Sequence, residues 1–217
     1  CTLDFKKMFP FIQNRIECLP IGVDLNSPMP YNSLKEIGIS ADGPFILHVG
    51  GFMPEKNHKG LIRIFSKLIQ EIPNAKLLLI GEGKLKTEIE ELVRQLRLSQ
   101  NVFFLGRTSD VQQIMSCCQV LVLPSLIEGL PGVILESFVN KLPVVAYDVG
   151  GIKEIVIDKK TGWLVDENKE LEFLEAIKES LSVPAQTTRE NAFKLVTQDY
   201  SIQNIAKRFL EFYLKAI

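Results

Sequence analysis

Val120-Leu121-Val122-Leu123-Pro124-Ser125, followed shortly by Glu128-Gly129-Leu130-Pro131-Gly132-Val133-Ile134-Leu135-Glu136, is the stretch that decides the fold. An unbroken apolar run, with no polar alternation, reads as a strand covered on both faces, the habit of a parallel sheet. Pro131 fits the first turn of a helix, where its missing N–H is not needed. The stretch is therefore a strand, a loop at its carboxyl end and a helix start. The same step recurs on either side of it. Phe45-Ile46-Leu47-His48-Val49 ends in Gly50-Gly51, Lys76-Leu77-Leu78-Leu79-Ile80 in Gly81-Glu82-Gly83, and Val102-Phe103-Phe104-Leu105 in Gly106. Pro143-Val144-Val145-Ala146-Tyr147 ends in Asp148-Val149-Gly150-Gly151. Amphipathic periodicity predicts helices over Leu61 to Gln70 and Leu85 to Leu98, and Ser109-Asp110 opens a short helix through Cys117. Repeated βα units with right-handed crossovers predict an α/β fold, a Rossmann-like parallel sheet with helices on both faces. Ligands of such sheets bind beyond the carboxyl ends of the strands, where every one of these glycine clusters falls.

The chain has 217 residues, 25 Lys+Arg against 26 Asp+Glu and a net charge of −1. That balance argues against an electrostatic nucleic-acid binder. A hydrophobic share of 46% excludes disorder as the overall state. No apolar run reaches the roughly 18 residues that span a bilayer. The opening residues lack the apolar core of a signal peptide. Cys1, Cys18, Cys117 and Cys118 show no metal-binding spacing, and the adjacent pair reads as buried thiols. A reducing, cytoplasmic location is expected, with the inner membrane face as an alternative for a longer protein.

Glu128 lies on the loop and Glu136 about a turn and a half inside the helix. Between them the free amides of Leu130 to Val133, at the positive helix end, form an anion site. The same residues also read as an ordinary helix start with two solvated glutamates. Gly50-Gly51 followed by Lys56-Asn57 suits a phosphate group, and equally a tight turn with a surface lysine. Gly81-Glu82-Gly83 falls short of G-x-G-x-x-G, because Leu85-Lys86 occupies the third glycine's place. His48, inside an apolar strand, reads as structural, and His58, at a helix start, as exposed. No D-x-D, P-loop or G-x-S-x-G occurs, so no carboxylate pair is evident for a nucleotide-bound cation.

In this order the pieces resemble the C-terminal, donor-binding half of the retaining glycosyltransferases of family 4, which have the GT-B architecture. The resemblance runs from about Ile16 to Ser182. It rests on Leu19-Pro20-Ile21-Gly22-Val23-Asp24, Val49-Gly50 with Lys56-Asn57, Ile80-Gly81-Glu82-Gly83 and Phe104-Leu105-Gly106. It continues through Pro124-Ser125, Glu128-Gly129-Leu130-Pro131, Glu136, Pro143-Val144-Val145-Ala146, Gly150-Gly151, Glu154 and Gly162-Trp163-Leu164-Val165. The resemblance implies a donor site that includes Gly50, Gly51 and Gly81. Lys56 would contact the donor diphosphate, and Gly129, Leu130, Pro131, Gly132 and Val133 would line phosphate or sugar. Glu136 would accept hydrogen bonds from the ribose, and Leu105-Gly106-Arg107 would hold the base. Glu128 would be the catalytic residue, beside the reacting carbon of the sugar.

The implied donor is a nucleotide-diphosphate sugar, a UDP-sugar favoured, with no cofactor and no metal. The family commonly has Arg directly after the first glycine. Gly51 stands there, which removes a bidentate phosphate donor that Lys59 or Arg107 could replace. The resemblance divides the chain into an interdomain linker over 1–30, with a strand-like piece from Ile16 to Ile21, and a donor-binding domain over 31–200. Residues 201–217 would be a helix that packs on a separate acceptor-binding domain. That domain would bring the sugar or lipid-linked acceptor in polysaccharide or glycoconjugate assembly, and without it no transfer is expected. The alternatives are a module that only binds nucleotide, or a GT-B sugar-nucleotide 2-epimerase, which the E-x7-E spacing disfavours.

Overall fold

The computed structural model describes residues 19–26, 34–39, 42–182 and 186–216. Six strands form one parallel sheet: β1 (Phe45–Val49), β2 (Lys76–Ile80), β3 (Val102–Gly106), β4 (Val120–Leu123), β5 (Val144–Tyr147) and β6 (Trp163–Val165). Their order is β3-β2-β1-β4-β5-β6, so the winding reverses between β1 and β4. That is the dinucleotide-binding order of the doubly wound fold. Every residue of β4 and β5 is buried, as unbroken apolar runs require when helices cover both faces.

The helices are α1 (His58–Glu71), α2 (Lys86–Gln95), α3 (Val111–Met115), α4 (Gly132–Val139), α5 (Glu170–Ser182), α6 (Gln186–Asp199) and α7 (Ile202–Ala216). Of the expected α1 stripe Leu61, Ile62, Ile64, Phe65, Leu68 and Ile69, all are buried but Ile69, which is half-buried. The second helix is shorter than expected. It stops at Gln95, and Arg97 turns left-handed at φ 58° two residues on. The short third helix ends at Met115, before Cys117. Of the two adjacent cysteines only Cys118 is buried, so the expectation of two buried thiols holds for one.

Leu19 to Ile21 form no strand, and residues 1–18 and 27–30 of the expected linker, with Cys1 and Cys18, lie outside the described residues. Val23 forms a parallel bridge with Ser201. The Val23 amide donates to the Tyr200 carbonyl, and the Ile202 amide donates to the Val23 carbonyl, both at 2.9 Å. The tail is helical as expected, and Ile202, Phe209, Leu210, Tyr213 and Leu214 of α7 are each more than half exposed. Among the described residues no helix is long and apolar enough to cross a membrane.

Candidate functional site

The reversal between β1 and β4 opens a crevice at their carboxyl ends, flanked by two loops. The first follows β1. Its Gly50 amide donates to the Ile80 carbonyl at 2.9 Å, and its Phe52 amide donates to the Glu82 carbonyl at 3.0 Å. Gly81 has φ 145°, and a Cβ there would lie 2.1 Å from the Gly50 carbonyl oxygen. Only a glycine lets the two loops lie this close.

Pro54–Lys56 make a single 3-10 turn, ended by Asn57 in the left-handed region at φ 52°. The Asn57 side chain caps α1 by accepting from the Gly60 amide at 3.1 Å. Its Nδ2 donates to the Pro124 carbonyl at 3.0 Å, which ties the first loop to the end of β4. His58 is buried at 2% exposure, contrary to the expectation that it faces solvent. Its ring stacks on Phe52 at 4.1 Å and meets the His48 ring edge-on at 4.7 Å. His48 Nδ1 donates to the Val122 carbonyl at 2.8 Å, which anchors the ring in its strand, while its Nε2 is buried without a hydrogen-bond partner among the described residues. Burial holds the His48 pKa down to about 4. It holds His58 down to about 3, with His48 and Lys56 adding to the effect. Both rings are neutral at pH 7, and Lys56 supplies the positive charge at this end of β1.

The second loop follows β4. A Cβ on Gly150, which has φ 58°, would lie 1.9 Å from the Glu128 carbonyl oxygen. The Gly151 amide donates to the Gly129 carbonyl at 2.9 Å. Gly150-Gly151 therefore hold this loop in place. Gly129 itself faces open space. Pro131 is the cap residue and Gly132 the first of α4, so the proline sits one position earlier than expected. The amides of Gly132 and Val133 have no acceptor within the helix and face the loop.

The two loops meet through side chains. Lys56 Nζ lies 2.6 Å from Glu128 Oε1, with side-chain exposures of 24% and 8%. Both residues were expected beside the same ligand, and the structure joins them directly to each other. Glu136, on α4, is half-buried, and burial raises its carboxyl pKa. It has no hydrogen-bond or ion-pair partner among the described residues. Leu105 and Gly106 lie at the end of β3, two strands from β1, and a Cβ on Gly106 would lie 3.1 Å from Glu82 Oε1. Lys59, a candidate to replace the arginine absent at Gly51, is paired with Glu88 at 2.6 Å. Among the described residues no group of three or more His, Cys, Asp or Glu side chains is placed to hold a metal ion.

Sequence reasoning missed the His48–His58 pair and the double role of Asn57. The signal for the latter was a short polar residue directly before an apolar-periodic run, an N-cap pattern.

A sheet of this order, with its crevice between β1 and β4, is a Rossmann-like domain of the kind found in GT-B glycosyltransferases. Residues 32–207 match the glycosyl transferases group 1 family, and the chain belongs to it. It is 30% identical over 82% of its length to the N-acetylgalactosamine-N,N'-diacetylbacillosaminyl-diphospho-undecaprenol 4-alpha-N-acetylgalactosaminyltransferase of Campylobacter jejuni, covering 47% of that protein. A glycosyltransferase from Rickettsia africae superposes with a TM-score of 0.87 at 20% identity, over 99% of this chain and 61% of that one. Anabaena HepE in complex with UDP superposes with a TM-score of 0.80 at 23% identity, over 90% of this chain and 56% of that one. The chain spans about half the length, or less, of the curated relatives it matches.

Proposed function

We propose that this chain is the nucleotide-sugar donor-binding domain of a retaining, family 4 glycosyltransferase that acts in polysaccharide or glycoconjugate assembly. The observation that carries the reading is Glu136, a half-buried carboxylate with no partner among the described residues, on the helix that begins at Gly132 beside the Glu128 loop. Such a group costs stability unless a ligand brings donors to it, and a ribose diol does so. The diphosphate then lies between the α4 amides and Lys56, and the sugar extends toward Glu128. Leu105 and Gly106, at the end of β3, hold the base through backbone groups. UDP in the HepE complex supports a uridine nucleotide as donor, and the Campylobacter relative's name supports a lipid-linked acceptor.

In transfer the bond from the anomeric carbon to the β-phosphate oxygen breaks, the acceptor hydroxyl oxygen bonds the same face of the sugar, and the hydroxyl proton passes to the departing phosphate oxygen. Charge develops on the departing diphosphate. The Lys56 ammonium, exchanging Glu128 for the phosphates as the donor binds, and the α4 amides stabilise it, and no metal is required. Residues 31–200 form the donor domain and 1–30 the linker. The exposed apolar side chains of α7 pack on an acceptor-binding domain. The chain alone therefore transfers no sugar, because the closed, dry cleft needs both domains.

Calorimetric titration of the chain with UDP, ADP and GDP, with and without EDTA, tests this reading. Binding of one nucleotide, unaffected by the chelator, is expected. No binding of any of them rejects it.

A further inference from the structure

Lys56 and Glu128 come from opposite sides of the crevice, and each depends on the other. The Glu128 side chain is 8% exposed, and Lys56 is its hydrogen-bond partner. Its backbone is fixed, since its carbonyl presses on Gly150 and the neighbouring Gly129 carbonyl accepts from the Gly151 amide. The carboxylate thus meets Lys56 and little water. Lys56 is placed differently. It ends a three-residue turn, its side chain is 24% exposed, and its stem is long and flexible.

We propose that this ion pair makes the site select an intact nucleotide sugar over the bare nucleoside diphosphate. The inference rests on the donor-site reading above and deepens it. A bare diphosphate draws Lys56 away and leaves a nearly buried carboxylate charged and without a donor. Removing one partner of such a pair is far more costly than the net worth of the pair itself. The incoming anion adds repulsion. An intact donor brings sugar hydroxyls to Glu128 at the same moment that its phosphates take Lys56, so both groups stay satisfied. Once the sugar has left, Glu128 recovers Lys56 and the diphosphate loses its cation. The same pair thus favours loading of substrate and release of product. Glu136 has no partner to lose among the described residues and takes no part in this exchange.

The test is calorimetric titration of the full chain, wild type, Glu128→Gln and Glu128→Ala, with UDP, ADP and GDP. The titration is repeated with the glucose, galactose and N-acetylglucosamine esters of the nucleotide that binds tightest. Melting curves confirm that each variant is folded, and Glu128→Ala stands in if Glu128→Gln is not. The neutral variants should bind the bare nucleotide about 10-fold more tightly, the scale set by freeing one charge from a buried pair. The advantage of the best sugar ester over the bare nucleotide should shrink by a similar factor. Unchanged or weaker binding of the bare nucleotide in both variants, with the wild type still binding, overturns the inference and leaves the donor-site reading standing. Equal tightening of nucleotide and ester also overturns it, since Glu128 would then repel phosphate without regard to the sugar. A wild type that binds no nucleotide overturns both.

Discussion

In the loop that follows β1, Phe52 is completely buried, whereas Ile127, in the loop that follows β4, is 70% exposed. The contrast is local, since Met53 and Pro54 of the first loop are exposed and Ser125 and Pro131 of the second are buried, but the anchoring of the two loops also differs. The first is hydrogen-bonded to the continuation of β2, stacked on His58 and tied by Asn57 to Pro124. The second is held from behind by Gly150-Gly151 and through the Leu126 amide, which donates to the Glu55 carbonyl at 2.8 Å. Its open side, at Gly129, meets nothing. One wall is thus anchored in the core by Phe52, and the other is a lip that stands open at Ile127 and Gly129. The difference separates two uses of glycine. Gly81 and Gly150 are glycines because another loop fills the place of a side chain. Among the described residues Gly129 has no such neighbour.

The sharpest way to break this contrast is a pair of alanines. Gly81→Ala would put a Cβ against the Gly50 carbonyl at a φ that side chains avoid. It should cost about 4 kcal/mol or more, or prevent folding. Gly129→Ala, in open space, should change stability by no more than about 0.5 kcal/mol. Urea unfolding of the two variants measures both, and similar losses would erase the distinction.

The second prediction concerns acid and the buried wall. The folded-state pKa values of His48 and His58, about 4 and about 3, lie below the ordinary 6.5. The unfolded chain therefore takes up protons that the folded chain refuses. The stability this gives is complete above the ordinary value and is lost as pH falls toward the folded values. Each ring contributes up to about 1.4 kcal/mol per pH unit inside that window. Between pH 7 and 5 the pair should remove about 3–4 kcal/mol. His58→Phe keeps a flat ring against Phe52 and should roughly halve the slope. Unfolding midpoints over this pH range decide it, and an unchanged slope would mean that His58 titrates normally.

Glu136 tests the lip from the ligand side. A carboxylate that takes two ribose hydroxyls makes charge-assisted bonds worth about 1.5–3 kcal/mol. Glu136→Ala should then weaken nucleoside diphosphate binding roughly 10- to 150-fold. Two solvated glutamates would instead leave affinity unchanged.

The smallest effect expected is on the ligand-free protein. Burial raises the Glu136 pKa, so the folded state favours the neutral form, and the stability tied to that form is lost as pH rises through the folded value. Glu136→Gln should therefore raise the melting temperature at pH 7, by about 1–3 °C. The gain should fade as pH drops into the carboxylate range. A lower melting temperature at pH 7 would show that the charge has a partner.

The sheet was legible because its strands are unbroken apolar runs that stop at glycine, and local sequence carries that information. β6 is only three residues long, and α6 buries just Ala192 and Val196, so neither shows enough periodicity to stand out. Lys56, Glu128 and Glu136 were legible as charged residues at strand ends and a helix start. Their relations were not. The Lys56–Glu128 pair joins residues 72 apart, and only the strand order brings them together. His58 sits between Asn57 and Lys59 and looks like a surface residue. Its burial comes from the path of the first loop, which lays Phe52 across its ring.

The bridge between Val23 and Ser201 makes the intervening chain a closed ring in space, since paired backbones lie only about 5 Å apart. A ring can be opened elsewhere. A circular permutant cut in the exposed stretch 166–169, between β6 and α5, and joined across Val23 and Ser201 by a few glycines would keep all six strands and both crevice loops. The same closure means that the chain before Val23 and the chain after Ser201 leave the ring side by side.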